Sequence, residues 1–164
     1  MKNRGFSLIE VIVALVLLSL SYALMAPAIS RFSTSIELKA AAKKVAAILR
    51  YSRSEAINKG KVFQVLFDAN LMEVKVQSMD SNEEQTGDEN KEDKADPRVY
   101  VLPAGVQMKE LNIESPRYPS DLPAIEFYPN GGSNGGDFLL DTQSQKGYKI
   151  RVNFLTGTVA IEKV

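Results

Sequence analysis

Glu10 makes the sharpest chemical demand in this sequence. It is the only charged side chain between Phe6 and Ser30, set among Leu8, Ile9, Val11, Ile12 and Val13. A charge at the centre of a membrane helix costs roughly 2.5–3.5 kcal/mol, so a carboxylate here needs a partner or a task. Nearby, the chain offers only Arg4 and the terminal amine. Elsewhere the possible chemistry is narrow. The 164 residues contain no histidine, cysteine or tryptophan. That removes the Ser-His-Asp triad, thiol nucleophiles, disulfides and the commonest zinc ligands. Acid–base work would fall to carboxylates such as Glu110 and Glu114, which nothing in the sequence brings together. Asp88-Glu89-Asn90-Lys91-Glu92-Asp93 does not have the spacing of a calcium-binding EF-hand loop, and Lys91 and Lys94 lie among its acids. Asn130-Gly131-Gly132-Ser133-Asn134-Gly135-Gly136 is glycine-rich, but a phosphate loop needs a Lys and a following helix. Asp137-Phe138-Leu139-Leu140 comes next instead, a strand pattern. No catalytic, cofactor or metal residue is assigned, and the expectation is a protein without enzymatic activity. Lys plus Arg is 20 and Asp plus Glu is 20, which gives no general attraction to nucleic acid. Lys146, Lys149, Arg151 and Lys163 are spread out and interleaved with acids, a weak patch for phosphates.

The element that carries Glu10 is an apolar run. Val11 to Ser30 holds no charge, while Lys2 and Arg4 precede it. About twenty apolar residues cross a hydrocarbon core of ~30 Å, and flanking positive charge stays on the cytoplasmic side. Three simpler accounts compete. A secretory signal peptide would use Ala26-Pro27-Ala28 as its small-x-small site, yet the run exceeds the roughly 7–15 residues of such a core. A plain signal anchor explains length and charge but leaves Glu10 unexplained. Snorkelling of Glu10 to the interface is the third.

Lys2-Asn3-Arg4-Gly5-Phe6-Ser7-Leu8-Ile9-Glu10 resembles the class III leader and cleavage site of type IV pilins and type II secretion pseudopilins. The resemblance implies cleavage between Gly5 and Phe6 by a prepilin peptidase and methylation of the new Phe6 amine. It also implies that Glu10 pairs with the amine of a neighbouring subunit during assembly. Physically, two opposite charges in a low-dielectric bundle are costly apart and tolerable together. Pro27 sits at the place where the family carries a helix-loosening proline, and an interior proline removes a backbone hydrogen bond and kinks or melts a helix.

Beyond Pro27, apolar residues at Ile29, Phe32, Ile36, Ala40, Val45, Ile48, Leu49 and Ala56 fit one buried helical stripe. Gly60 is a natural stop after Lys59. A continuous helix from Phe6 to Lys59 would have 54 residues and reach ~81 Å at ~1.5 Å per residue. No small domain can bury that length, so its first half must lie in a membrane or in a bundle of like helices. Leu49-Arg50-Tyr51-Ser52-Arg53-Ser54-Glu55-Ala56-Ile57 resembles the end of this helix in the GspH/FimT branch of the family. Read from the residues alone it is an amphipathic helix end with Arg53 and Glu55 solvated.

After Gly60 the period changes to two. Strands are expected at 62–67 and 71–76, joined as a hairpin across Asp68-Ala69-Asn70, then at 99–102, 106–111, 124–128, 137–140, 148–154 and 158–162. Ser78 to Arg98 sets eight carboxylates against three cations, a net −5. It has too little to bury to order itself, and a disordered insertion is the default. The fold class is therefore α+β, a long N-terminal transmembrane helix followed by one small antiparallel sheet of roughly six to eight strands: leader 1–5, transmembrane and assembly helix 6–30, amphipathic second half 31–60, and a β-rich GspH-like domain 61–164 with an acidic insertion at 78–98. The resemblance implies a minor pseudopilin that helps initiate or cap the filament driving export of folded proteins. Its alternative is a minor type IV pilin of a pilus or DNA-uptake apparatus. Implied partners are other minor and major pseudopilins or pilins, the prepilin peptidase and the inner membrane, with the N-terminus cytoplasmic and the C-terminal domain periplasmic or extracytoplasmic.

Overall fold

The structure is a computed structural model that describes residues 8–79, 98–142 and 145–164; the side chains of 23–33 and of 145–146 are outside the description. The order is one helix and eight strands: α1 (Leu8–Lys59), β1 (Val62–Asp68), β2 (Glu73–Met79), β3 (Arg98–Val101), β4 (Gln107–Ile113), β5 (Ala124–Phe127), β6 (Gly136–Thr142), β7 (Gln145–Val152) and β8 (Val159–Lys163). The chain divides into two compact units, Met1–Ile36 and Glu37–Val164, with α1 crossing the boundary.

In the first unit, described side chains from Leu8 to Tyr22 are exposed on every face of the helix. Leu8, Ile9, Leu15, Leu17, Leu18 and Leu20 are each about 60% or more exposed. A helix apolar all round is stable only when something apolar surrounds it. Among the described residues no helix is long and apolar enough to cross a membrane. The stretch with described side chains, 8–22, is shorter than the ~20 residues a span needs, while the uncharged sequence runs on to Ser30. α1 carries on through Pro27, so the proline does not end the helix.

In the second unit the strands form two four-stranded sheets rather than one. Sheet A has the order β3-β2-β1-β5 and sheet B the order β4-β6-β7-β8, and every strand pairing within them is antiparallel. The second half of α1 and both sheets share one core. Leu38, Ala41, Ala42, Val45, Leu49 and Ala56 come from the helix, Val65, Phe67, Val74, Ile125 and Phe127 from sheet A, and Phe138, Leu140, Ile150 and Val152 from sheet B. Phe67 and Phe138 join the sheets, with ring centroids 4.7 Å apart at 51°, a tilted pairing that aromatic quadrupoles favour.

The buried stripe of α1 differs from the one expected. Ile36 is 54% exposed and Ala40 is exposed, while Leu38, Ala41, Ala42, Ala46 and Ser52 are buried. Large apolar residues had marked the stripe, but five of the eight buried positions from Leu38 to Ala56 are alanine or serine, small side chains that let a helix backbone sit close to a sheet. The first hairpin is also longer than expected. Asp68 Oδ1 accepts from the N–H groups of Asn70 and Leu71, each at 3.0 Å. That Asx turn carries the chain past Met72, at φ 53°, before β2 starts.

Candidate functional site

Of the four residues read as functional from sequence, Gly5 and Phe6 lie outside the described residues. Glu10 is exposed in the first turn of α1, and Pro27 lies within α1 with its side chain outside the description. The acidic stretch from Asp80 to Pro97 is likewise outside the description. Among the described residues no group of three acidic side chains could hold a metal ion. Glu110 and Glu114 are both exposed, and Glu110 sits at φ 50° in a bulge of β4. In the basic stretch near the C-terminus, Lys149 Nζ is 2.6 Å from Asp137 and Arg151 is 3.6 Å from Glu162. The Lys149 ammonium holds the Asp137 carboxyl below its usual range, against the opposing effect of burial.

Sequence reasoning missed two polar arrangements. The first is at the end of α1. Arg53, expected to be solvated, donates from Nε to the carbonyls of Gly131 at 3.1 Å and Thr156 at 2.8 Å. One side chain thus ties the helix to the glycine-rich turn and to the β7–β8 loop. Gly157, at φ 61°, presses into the same seam: a Cβ there would lie 2.5 Å from the Gly131 carbonyl and 3.0 Å from Arg53. One turn earlier, Arg50 donates to Val159 O at 3.0 Å. Glu55 pairs with Lys59 at 2.9 Å, and that bond is the main reason its carboxyl lies below its ordinary range. The only early sign of the seam was the Arg-Ser-Glu-Ala-Ile pattern itself.

The second arrangement is a buried polar ladder across sheet A. Glu126 has no exposure. Its carboxylate accepts from Gln64 Nε2 (2.8 Å), the N–H groups of Arg117 (2.8 Å) and Tyr118 (2.9 Å), and the Tyr128 hydroxyl (2.9 Å). Gln77 extends the ladder to Gln64 Oε1 at 2.8 Å. Burial, reinforced by the Glu126 carboxylate, pushes the Tyr128 phenol up to about 12. A buried carboxylate with four donors is satisfied rather than strained. Here it pins the loop at 114–123 over the outer face of sheet A. Asn134 holds the other side of that loop, donating to Glu114 O at 2.9 Å and Ala124 O at 3.0 Å while accepting from Glu126 N at 2.8 Å. In this structure the glycine-rich segment is a turn that bonds protein to protein.

These arrangements fix loops to a scaffold. The residues at 1–22 match the prokaryotic N-terminal methylation motif. With the helix and two sheets beyond it, this is the plan of a pilin-like protein. A family model for type II transport protein GspH matches residues 41–156, most of the chain, and the chain belongs to that family. It is 27% identical over 156 residues to a type II secretion system protein H from Xanthomonas campestris pv. campestris, covering 95% of this chain and 81% of the relative. Among solved structures it resembles the minor pseudopilin EpsH of the Vibrio cholerae type 2 secretion system, with TM-score 0.58 and 17% identity over 77% of this chain and 97% of that one. It also resembles the type IV minor pilin FimU of Pseudomonas aeruginosa, with TM-score 0.56 and 19% identity over 80% and 92% of the two chains.

Proposed function

We propose that this chain is a minor pseudopilin, a non-enzymatic subunit of a type II secretion pseudopilus. One observation carries the reading: a methylation motif with a lone carboxylate, Glu10, heads a helix apolar on all faces, and that helix leads into a GspH-family domain. In this reading the prepilin peptidase cuts between Gly5 and Phe6, and the Phe6 amine is methylated. Residues 6–30 anchor the chain in the inner membrane with the N-terminus cytoplasmic, and residues 31–164 are exported. In the filament, like helices surround the apolar stretch. Glu10 is neutralised there by the amine of a neighbouring Phe6, a pairing that sets register more than strength. Pro27 loosens the helix where it leaves the lipid. The two similar solved structures, a pseudopilin and a pilin, have nearly equal TM-scores, so the fold alone does not choose between those filaments. The family model favours the secretion reading.

The test is Glu10→Leu, with crosslinking to the other pseudopilins measured beside secretion of a folded substrate. The variant is expected to stay membrane-anchored and folded, since an apolar residue inserts more easily than a carboxylate. It is expected to lose crosslinks and secretion together. Normal crosslinking and secretion would overturn the pairing mechanism.

A further inference from the structure

β3 stands at the edge of sheet A, and a trough of about 530 Å³ lies between it and α1. Lys44, Ala47, Ile48 and Tyr51 line it from the helix, Arg98, Val99 and Tyr100 from β3, and Val76 from β2. Among the described residues, the trough is lined by two cations, Lys44 and Arg98, and by no carboxylate. Arg98 lies over the Tyr51 ring at 5.1 Å. Glu55, the next acid along α1, pairs with Lys59 and also interacts with Tyr51 and Arg98 at the end of the trough, which leaves Lys44 the cation farther from it.

The backbone of β3 fixes what can be added there. Leu102 N–H donates to Met72 O at 2.8 Å. In an antiparallel ladder, N–H and C=O groups alternate sides along a strand. Tyr100, paired with Val74, therefore turns its backbone groups toward β2, while Val99 and Val101 turn theirs outward, where no described strand pairs with them. Side chains alternate the other way. Arg98 and Tyr100 share the face of Val76 and the buried Val74, the α1 side. Val99 and Val101 lie on the opposite face, 48% and 59% exposed.

We propose that β3 accepts a fifth strand on sheet A, contributed by another protein, in which carboxylates alternate with apolar residues. The apolar side chains would cover Val99 and Val101, and the carboxylates would face Lys44 and Arg98. The outward groups of Val99 and Val101 would supply the main-chain bonds. Pro97 and Pro103 bracket β3 in the sequence, so the added strand is short, and the edge resists longer, indiscriminate pairing. This inference rests on the trough and the strand register, independently of the filament reading.

The experiment uses the full chain in mild detergent and two blocked fluorescent peptides, one alternating leucine with glutamate and one alternating leucine with lysine. Anisotropy is expected to show binding of the glutamate peptide only. Amide exchange at Val99 and Val101 is expected to slow in its presence, with Tyr100 unchanged. Val99→Pro deletes an outward donor without touching the ladder to β2 and is expected to weaken binding about tenfold. Lys44→Glu lies on the exposed helix surface, where a substitution is expected to leave the domain folded, and it is expected to weaken binding by a similar factor. Equal binding of both peptides, unchanged exchange at Val99 and Val101, or full affinity in Lys44→Glu would overturn the proposal. So would binding that appears only after residues 80–96 are deleted, which would assign the trough to the chain's own acidic segment. Self-association abolished by Val99→Pro would overturn it too, by seating a second copy there.

Discussion

Arg53→Ala tests whether the end of α1 is fastened to the sheets by one side chain. The Nε–H is shared between two carbonyls, Gly131 O at 3.1 Å and Thr156 O at 2.8 Å. A hydrogen bond from a charged donor contributes about 1.5–3 kcal/mol. Losing that donor affects the two carbonyls differently. Gly131 is buried and keeps an acceptor that water reaches poorly, whereas Thr156 is exposed and rehydrates. The removed stem also leaves a gap beside Gly157. Discounting the solvated half, the expected loss is about 2 kcal/mol. The assay is urea unfolding of the full chain in mild detergent, monitored by tyrosine near-ultraviolet circular dichroism. Amide exchange at Gly157 and Gly131 gives the local readout, since their N–H groups bond to Asn153 O and Tyr128 O in the fastened turns. Exchange there is expected to rise more than in β1. Arg53→Lys keeps the charge but lacks the side-on Nε donor and is expected to recover only part of the loss. A cost under about 0.5 kcal/mol, the range of an ordinary surface change, would refute the fastening role, and so would Arg53→Lys as stable as the parent.

The same seam and ladder set three further outcomes. Gly157→Ala sets a Cβ 2.5 Å from the Gly131 carbonyl at φ 61°, and a loss of about 2 kcal/mol or more in the same urea assay is expected; a neutral result would mean that the two loops are not in contact. Glu126→Leu strands four donors in a buried site and is expected to cost about 3–5 kcal/mol, with Glu126→Gln milder, and faster amide exchange at Arg117 and Tyr118 is the local check. Tyr128 is expected to ionise at about 12 rather than at its ordinary 10, read as the ultraviolet difference titration between the parent and Tyr128→Phe. With the folded pKa raised, the unfolded phenol loses its proton first, so stability falls as pH rises from 10 toward about 12. A difference signal centred near the ordinary 10 would show that the hydroxyl is not buried against Glu126.

The local elements of the fold were legible because their signals are local. The period switched at Gly60, which ends α1 at φ 65°, and each expected strand has a counterpart. Long-range arrangements were hidden. The split into two sheets depends on β5 pairing back with β1 rather than with β4 or β6, and no neighbour relation in the chain encodes that. Glu126 alternates with Ile125 and Phe127, a pattern that ordinarily marks a wet face. It is dry only because the 114–123 loop folds over it. Arg53 looked solvated because its acceptors lie 78 and 103 residues further along. The large apolar residues of α1 pointed to Ile36, which is exposed, whereas Ala41 and Ala42, which the expected stripe passed over, are fully buried. The N-terminal motif, by contrast, was fully readable, since its recognition rests on a short string of adjacent residues.

The central claim, that this chain is processed and assembled as a pseudopilin, is tested most directly by the intact mass of the protein recovered from the membranes of cells that contain a prepilin peptidase. The account predicts loss of residues 1–5 and one added methyl group on a chain that begins at Phe6. A mature end near Ala28 would contradict it and restore the secretory signal peptide, and an unprocessed, unmethylated chain would leave a plain membrane anchor.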